Sequence, residues 1–299
     1  MPICEIDPWR SQYFENVTCP ADVFIPTEDS DAWLWNPEYR WVYDKLAIAA
    51  SQALDSAPHG IQPDRYPVFS KPIYNLKGMG VGSRALHSQA DYQAAYQAGH
   101  MWMPLLVGEH VSSDVALIDG VPRWWGHANG IPGKDGTFDY WEVHAGAEPQ
   151  IESSVGDWCR RHLGGYSGMA NLETIDGRII EVHLRFADQW PDLYGRGWVE
   201  ALVALYERGV WSLTDHVDRV GYSVVLFMPH GTHYRHPPPQ IINRVLALEG
   251  VSSVQITFHE GLAPEQHAMP PGGFRVAIVN CWNLAAGREA RNLLRGHFG

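Results

Sequence analysis

Hydrophobic and polar positions alternate most regularly between Gly165 and Arg185, GYSGMANLETIDGRIIEVHLR. Asp176-Gly177 separates two β-compatible runs, which predicts a hairpin. Successive side chains of a strand point to opposite faces. In the second run Ile180, Val182, Leu184 and Phe186 therefore share an apolar face, and Glu181, His183 and Arg185 share the other. An acid, an imidazole and a guanidinium in one row suit a core poorly, so that row is expected to face a cleft.

The same pattern organises the rest of the chain. Residues 1–39 are interrupted by prolines, show only a short strand near Val23-Phe24-Ile25, and read as an arm laid on the fold. A helix is predicted over 38–54, with Trp41, Leu46, Ala49 and Ala50 on its apolar side. Short buried strands follow at 66–72 and 101–107, with a helix between them that starts at the capping-box-like Ser88-Gln89-Ala90-Asp91. A second hairpin turns at Asp119-Gly120. Residues 131–154 read as a loop over the cleft, residues 152–163 and 197–208 as helices, and 212–219 as a linker. From 220 onward strands at 222–228, 251–259 and 274–279 alternate with helices at 237–249 and 285–294. The expected fold class is α+β, in three parts: the arm 1–39, a central unit 40–212 and a C-terminal α+β unit 213–299.

Composition narrows the function. Of 299 residues, 45% are hydrophobic and 19% charged, as in a folded globular protein. A net charge of −12 argues against bulk binding of nucleic acid or an anionic membrane. No apolar run is long enough to span a bilayer, and the N-terminus lacks a secretion-signal pattern. The four cysteines, Cys4, Cys19, Cys159 and Cys281, are scattered, which fits a reducing, cytoplasmic setting without structural zinc or disulfides.

The candidate chemistry begins with Asp44-Lys45 and continues with a strand ending Ser70-Lys71-Pro72, then Asn75-Leu76-Lys77-Gly78-Met79-Gly80-Val81-Gly82. Gly78, Gly80 and Gly82 allow a backbone concavity lined with amides for phosphate, and Lys71 or Lys77 can add charge. The spacing is neither that of a P-loop nor that of a dinucleotide-binding fingerprint. Downstream come Met101 to Leu105, then Gly108-Glu109-His110-Val111-Ser112-Ser113-Asp114, and last Glu181-Val182-His183-Leu184-Arg185.

In this order the motifs resemble the ATP-grasp superfamily, whose late hairpin ends in Glu-x-Asn-x-Arg. The resemblance covers about residues 40–212 and implies the ATP-grasp fold, in which two α+β subdomains grip ATP. It also implies an ATP-dependent ligase that activates a carboxylate as an acyl phosphate for attack by an amine or thiol. Lys45, Lys71, Lys77, Gly78, Gly80 and Gly82 would hold the phosphates. Met103 and Leu105 would lie along the adenine, and Glu109 would belong to the nucleotide site. Glu181, His183, Glu173 and Asn171 would hold Mg²⁺, and Arg185 with Lys71 would act on the reacting groups. Two departures matter. His183 stands where the family has Asn, and imidazole suits Mn²⁺ better than Mg²⁺. The family's preceding N-terminal domain is reduced to the arm, so the arm, the C-terminal unit or a second subunit in a homodimer would complete the pocket. A three-residue loop over 175–177 is expected to pair Asn171 with Glu181 and bring both strands' polar rows to one face. The alternative is a nucleotide-binding module with weakened or no catalysis. A metallohydrolase finds no support, since H-E-x-x-H is absent and His230, His233 and His236 cluster in a Gly- and Pro-flanked loop.

Overall fold

The computed structural model describes every residue except Met1, Pro2, Ile6, Lys77, Met79, Asp135, Ala145 and His216. The arm carries strands β1 (Ile3–Cys4) and β2 (Ile25–Pro26), paired in parallel, and helices α1 (Pro8–Ser11) and α2 (Asp29–Trp35). A 3-10 stretch, Pro37–Tyr43, leads into α3 (Lys45–Ser51). A small antiparallel sheet comes next: β3 (Ala57–Pro58), β4 (Val68–Pro72), β5 (Arg84–Leu86) and β6 (His100–Pro104), in the order β3-β6-β4-β5. Helix α4 (Gln89–Ala94) joins β5 to β6.

The remaining strands form one antiparallel sheet. They are β7 (His110–Ile118), β8 (Val121–Pro132), β9 (Phe138–His144), β10 (Gly168–Ile175), β11 (Arg178–His183), β12 (Gly221–Met228), β13 (Val251–Ile256) and β14 (Phe274–Cys281). Their order is β11-β10-β7-β8-β9-β12-β14-β13. Helix α5 (Pro149–His162) packs on the face that carries Val115, Leu117, Leu172 and Val182. Helix α6 (Trp198–Arg208) packs on the face with Ala116, Met169 and Phe186. Helices α7 (Pro239–Leu246) and α8 (Leu284–Phe298) share a core with β12 and β14. The C-terminal residues thus have a hydrophobic cluster of their own, yet β12 hydrogen-bonds to β9 and continues the central sheet. Among the described residues no helix is long and apolar enough to cross a membrane.

Several elements differ from the sequence reading, each for a local reason. The helix expected over 38–54 is broken at Asp44, whose carboxylate accepts from the amides of Leu46 and Ala47 at 2.9 and 3.2 Å. That N-cap makes Lys45 the first residue of α3. Residues 131–154 are not a loop: the alternation Tyr140-Trp141-Glu142-Val143-His144 becomes β9, an interior strand, and α5 begins at Pro149.

The hairpin of β10 and β11 closes with a two-residue turn, not the expected three. Asp176 and Gly177 both have positive φ, 50° and 72°, as a type I′ turn needs. A β-bulge then pairs Glu173 with Glu181 and Asn171 with His183, two residues away from the predicted Asn171–Glu181 pairing. Ile180 is the extra residue of the bulge. Ile179 takes the core position beside Val182 and Leu184, while Ile180 turns out of the expected apolar row and into a cleft.

The cap at Asp44 gives a test. Asp44→Ala is expected to cost about 1 kcal/mol. Urea unfolding would show a lower midpoint with an unchanged slope; an unchanged midpoint would mean that α3 is held by packing alone.

Candidate active site

Between the two sheets lies a cleft of about 830 Å³. The small sheet contributes Phe69, Lys71 and Met103 to its walls, and the large sheet contributes Ser112, Asn171, Glu173, Glu181 and His183. Gly78, Gly80, Leu105 and Arg185 also line it. The glycine-flanked segment and the polar row of β11 therefore look into one space.

A bond joins the two walls. Lys71 Nζ donates to the carbonyl of Ile180, the bulged residue, at 2.8 Å. Lys71 is only 3% exposed, and burial pulls its pKa down to about 8 despite the nearby carboxylate of Glu181. Its charge is thus weakly supported in the free protein and would be strengthened by an anion. Behind it Lys45, also buried, lies with Nζ 3.6 Å from Glu181 Oε1.

From Glu181 a chain of alternating charge runs into the arm. Its Oε2 lies 3.7 Å from His183 Nε2. His183 Nδ1 donates to Asp29 at 2.9 Å, and Arg185 Nη2 donates to the same carboxylate at 3.1 Å. Asp29 is almost fully buried; burial opposes its charge, but Arg185 and His183 hold its carboxyl well below the usual range. Across the strand pair, burial likewise works against the charge of Glu173, and a 3.0 Å bond from His110 brings it down to about 2. Asn171 spends its amide on Ser112 Oγ at 2.9 Å and Asp114 Oδ1 at 2.7 Å.

The expected residues are not all at the cleft. Glu109 is exposed and takes a hydrogen bond from Asn129 on β8, because the strand places its neighbour His110 inward instead. Gly82 packs against His100 and Pro72 at the exit of the glycine segment, away from the lining. Lys77 lies outside the described residues. His230 and His236 bond to the carbonyls of Pro270 and Phe258, as loop residues with structural partners.

Other lining residues were not legible in the sequence. The arm inserts Arg10, Glu28 and Asp29, and the C-terminal strands add Phe227 and Arg275. Asp188 and His110 line it as well. An acid at the start of a short helix carries no motif, so Asp29 had no signal beyond its charge. The pocket is completed by the arm and the C-terminal strands of the same chain.

The donors can be tested against a divalent cation. Glu173 and Glu181 are cross-strand partners on the cleft face. One or two carboxylates together with substrate oxygens is the usual protein share of a Mg²⁺ site, so this pair fits. His183 is turned to Asp29 and Glu181. Among the described residues the acids and imidazoles that converge as a group of three are Glu5, Asp7 and Glu28, and the guanidinium of Arg10 already lies against Asp7 and Glu28.

No protein-family model and no curated protein matches the sequence. Solved structures do resemble the fold. An L-amino acid ligase from Bacillus licheniformis is similar at a TM-score of 0.62 and 12% identity, over 97% of this chain and 82% of that one. An N5-carboxyaminoimidazole ribonucleotide synthetase in complex with ADP gives 0.63 and 14%, over 97% and 84%. The biotin carboxylase domain dimer of 2-oxoglutarate carboxylase from Hydrogenobacter thermophilus, with MgADP, ADP and bicarbonate, gives 0.56 and 12%, over 86% and 66%. Identities this low speak for architecture alone. The overall architecture is shared with these ligases, and the chain has the ATP-grasp fold.

Proposed function

We propose that the chain is an ATP-dependent ligase that activates a carboxylate as an acyl phosphate and passes the acyl group to an amine or thiol. The observation that carries this reading is the single cleft in which Lys71, Gly78 and Gly80 face Glu173, Glu181 and Arg185. The ligase chemistry and bound ADP of the fold neighbours support it.

In this reading the adenine lies along Met103 to Leu105, and the phosphates meet Lys71 and the backbone of the glycine segment. Lys45 stays paired with Glu181. Glu181 and Glu173 would hold Mg²⁺, which would neutralise phosphate charge. A substrate carboxylate oxygen attacks the γ-phosphorus, ADP leaves, and the nucleophile then displaces phosphate from the acyl carbon. Arg185, steadied by Asp29, faces the charge that develops in these steps. Positioning supplies most of the rate, since no protein group forms a covalent bond.

A binding module without turnover is the second reading. It is favoured by one observation: Glu173 and Glu181 already have partners in the protein, His110 and Lys45. ADP release in the presence of Mg²⁺, measured across pooled carboxylates, amines and thiols, separates the two. Turnover that disappears in Glu181→Gln supports the ligase. Tight ATP binding with no ADP from any pairing supports the module.

The lysine gives a pH signature. Lys71 must be charged to hold phosphate, and its pKa in the free protein is about 8. ATP affinity is therefore expected to fall roughly tenfold between pH 7 and pH 9. Lys71→Arg, charged throughout, should flatten that profile in isothermal titration. An equally steep profile in the variant would assign the effect to another group.

Asp29 bonds to both His183 and Arg185, so Asp29→Asn removes the one carboxylate at ion-pair distance from the Arg185 guanidinium among the described residues and leaves His183 beside Glu181 alone. It is expected to destabilise the fold by about 3 kcal/mol, read from urea unfolding at neutral pH. A loss below about 0.5 kcal/mol, the range of exposed pairs, would contradict the network.

A further inference from the structure

The cleft has a second charged region that the nucleotide reading does not use. Arg10 and Glu28 from the arm, Asp188 after β11, and Arg275 on β14 line it together. Its cations are unequally matched. Arg10 Nη1 lies 2.5 Å from Asp188, 2.8 Å from Glu28 and 3.1 Å from Asp7. Arg185 is paired with Asp29. Arg275 has no carboxylate at ion-pair distance and its guanidinium makes no hydrogen bond among the described residues; its Nε is closed to solvent and unpartnered. Burial, and then the neighbouring charge of Arg10, bring its pKa down to about 10 against the longer-range pull of Asp188, Asp7 and Glu28, so it remains charged at neutral pH with no carboxylate in direct contact.

An enclosed cation with no partner is costly, and a cleft wall is a poor place for one unless a ligand supplies the charge. The planar fork of a guanidinium fits an oxyanion through two parallel bonds. Arg275 also stands on the C-terminal strands, whereas Arg185 sits on the hairpin with the phosphate-facing groups. We infer that Arg275 anchors a second oxyanion of the substrate, separate from the carboxylate that is activated. The acid substrate is then a dianion, a dicarboxylate or a carboxylate with a phosphate-type end. This inference rests on the ligase reading and names the substrate class for it.

The test uses the whole chain loaded with ADP and Mg²⁺, and reads ligand affinity from thermal shifts. The probes are glutarate, 3-phosphonopropionate and the monoanion butyrate. One dianion is expected to bind roughly tenfold to a hundredfold more tightly than butyrate. Which one it is distinguishes a carboxylate end from a phosphate-type end. Arg275→Gln should erase that preference, and Arg275→Lys, which keeps the charge but loses the fork, should keep part of it. ADP binding by each variant reports that the fold and the nucleotide site are intact.

Equal affinity for mono- and dianions, no shift with any probe, or a preference that survives Arg275→Gln overturns the inference while the ligase reading stands. Failure of the wild-type chain to bind ADP removes both.

Discussion

The site depends on how a buried row of charge is neutralised. Glu181 and His183 occupy alternate positions on an edge strand, Arg185 follows just past its end, and each is partly or fully removed from water. Left alone, such a row would be expensive to fold. Lys45 stands at one end and Asp29 joins the other two members, so the sequence cation–anion–imidazole–anion–cation runs from α3 through β11 into α2. Asp29 carries most of this load. It bonds to His183 and Arg185 at once, and those two keep it ionised in spite of its burial. The arm is therefore an electrostatic part of the cleft as well as a covering.

The bulge in β11 makes a second constraint. One extra residue after the turn rotates Ile180 out of the core row and offers its carbonyl to Lys71. Ile180 also packs beside Met101 and Met103, so the same residue supports the hydrophobic contact of the small sheet with the hairpin. Position and charge of Lys71 are set together: the contact that brings it over the cleft also strips its water and leaves its ammonium poised near neutral pH.

Beneath the cleft floor, Asp114 gathers the polar groups that the core cannot leave unpaired. It accepts from Asn171, the amide of Ala187 and the hydroxyl of Tyr194, at 2.7, 2.9 and 2.8 Å. Burial raises its pKa to about 6 even with these donors. The amide nitrogen of Asn171 is thereby tied to Asp114 and Ser112, and Glu173 and Glu181 are the hairpin's acids that line the cleft. A network of this kind restricts the rotamers around it, and with them the direction of the hairpin's polar row.

The sequence alone determined those features that follow from local chemistry. Alternation set the polar row of β11, because a strand repeats every two residues. Asp119-Gly120 and Asp176-Gly177 set both turns, because few residue pairs accept positive φ. The order of Lys71, the glycines and the Glu-x-His-x-Arg string was enough for the resemblance. Tertiary structure decided the rest. The bulge is a one-residue adjustment with no motif, and it changed both the strand register and the role of Ile180. Glu109 and His110 are neighbours in the chain, and only strand direction sends one outward and the other into the cleft. Asp29, Arg10 and Arg275 are distant from the hairpin in sequence and unremarkable in pattern. They belong to the site because long-range packing places opposite charges, or an unmatched one, around the same space, and no local spacing encodes such a meeting.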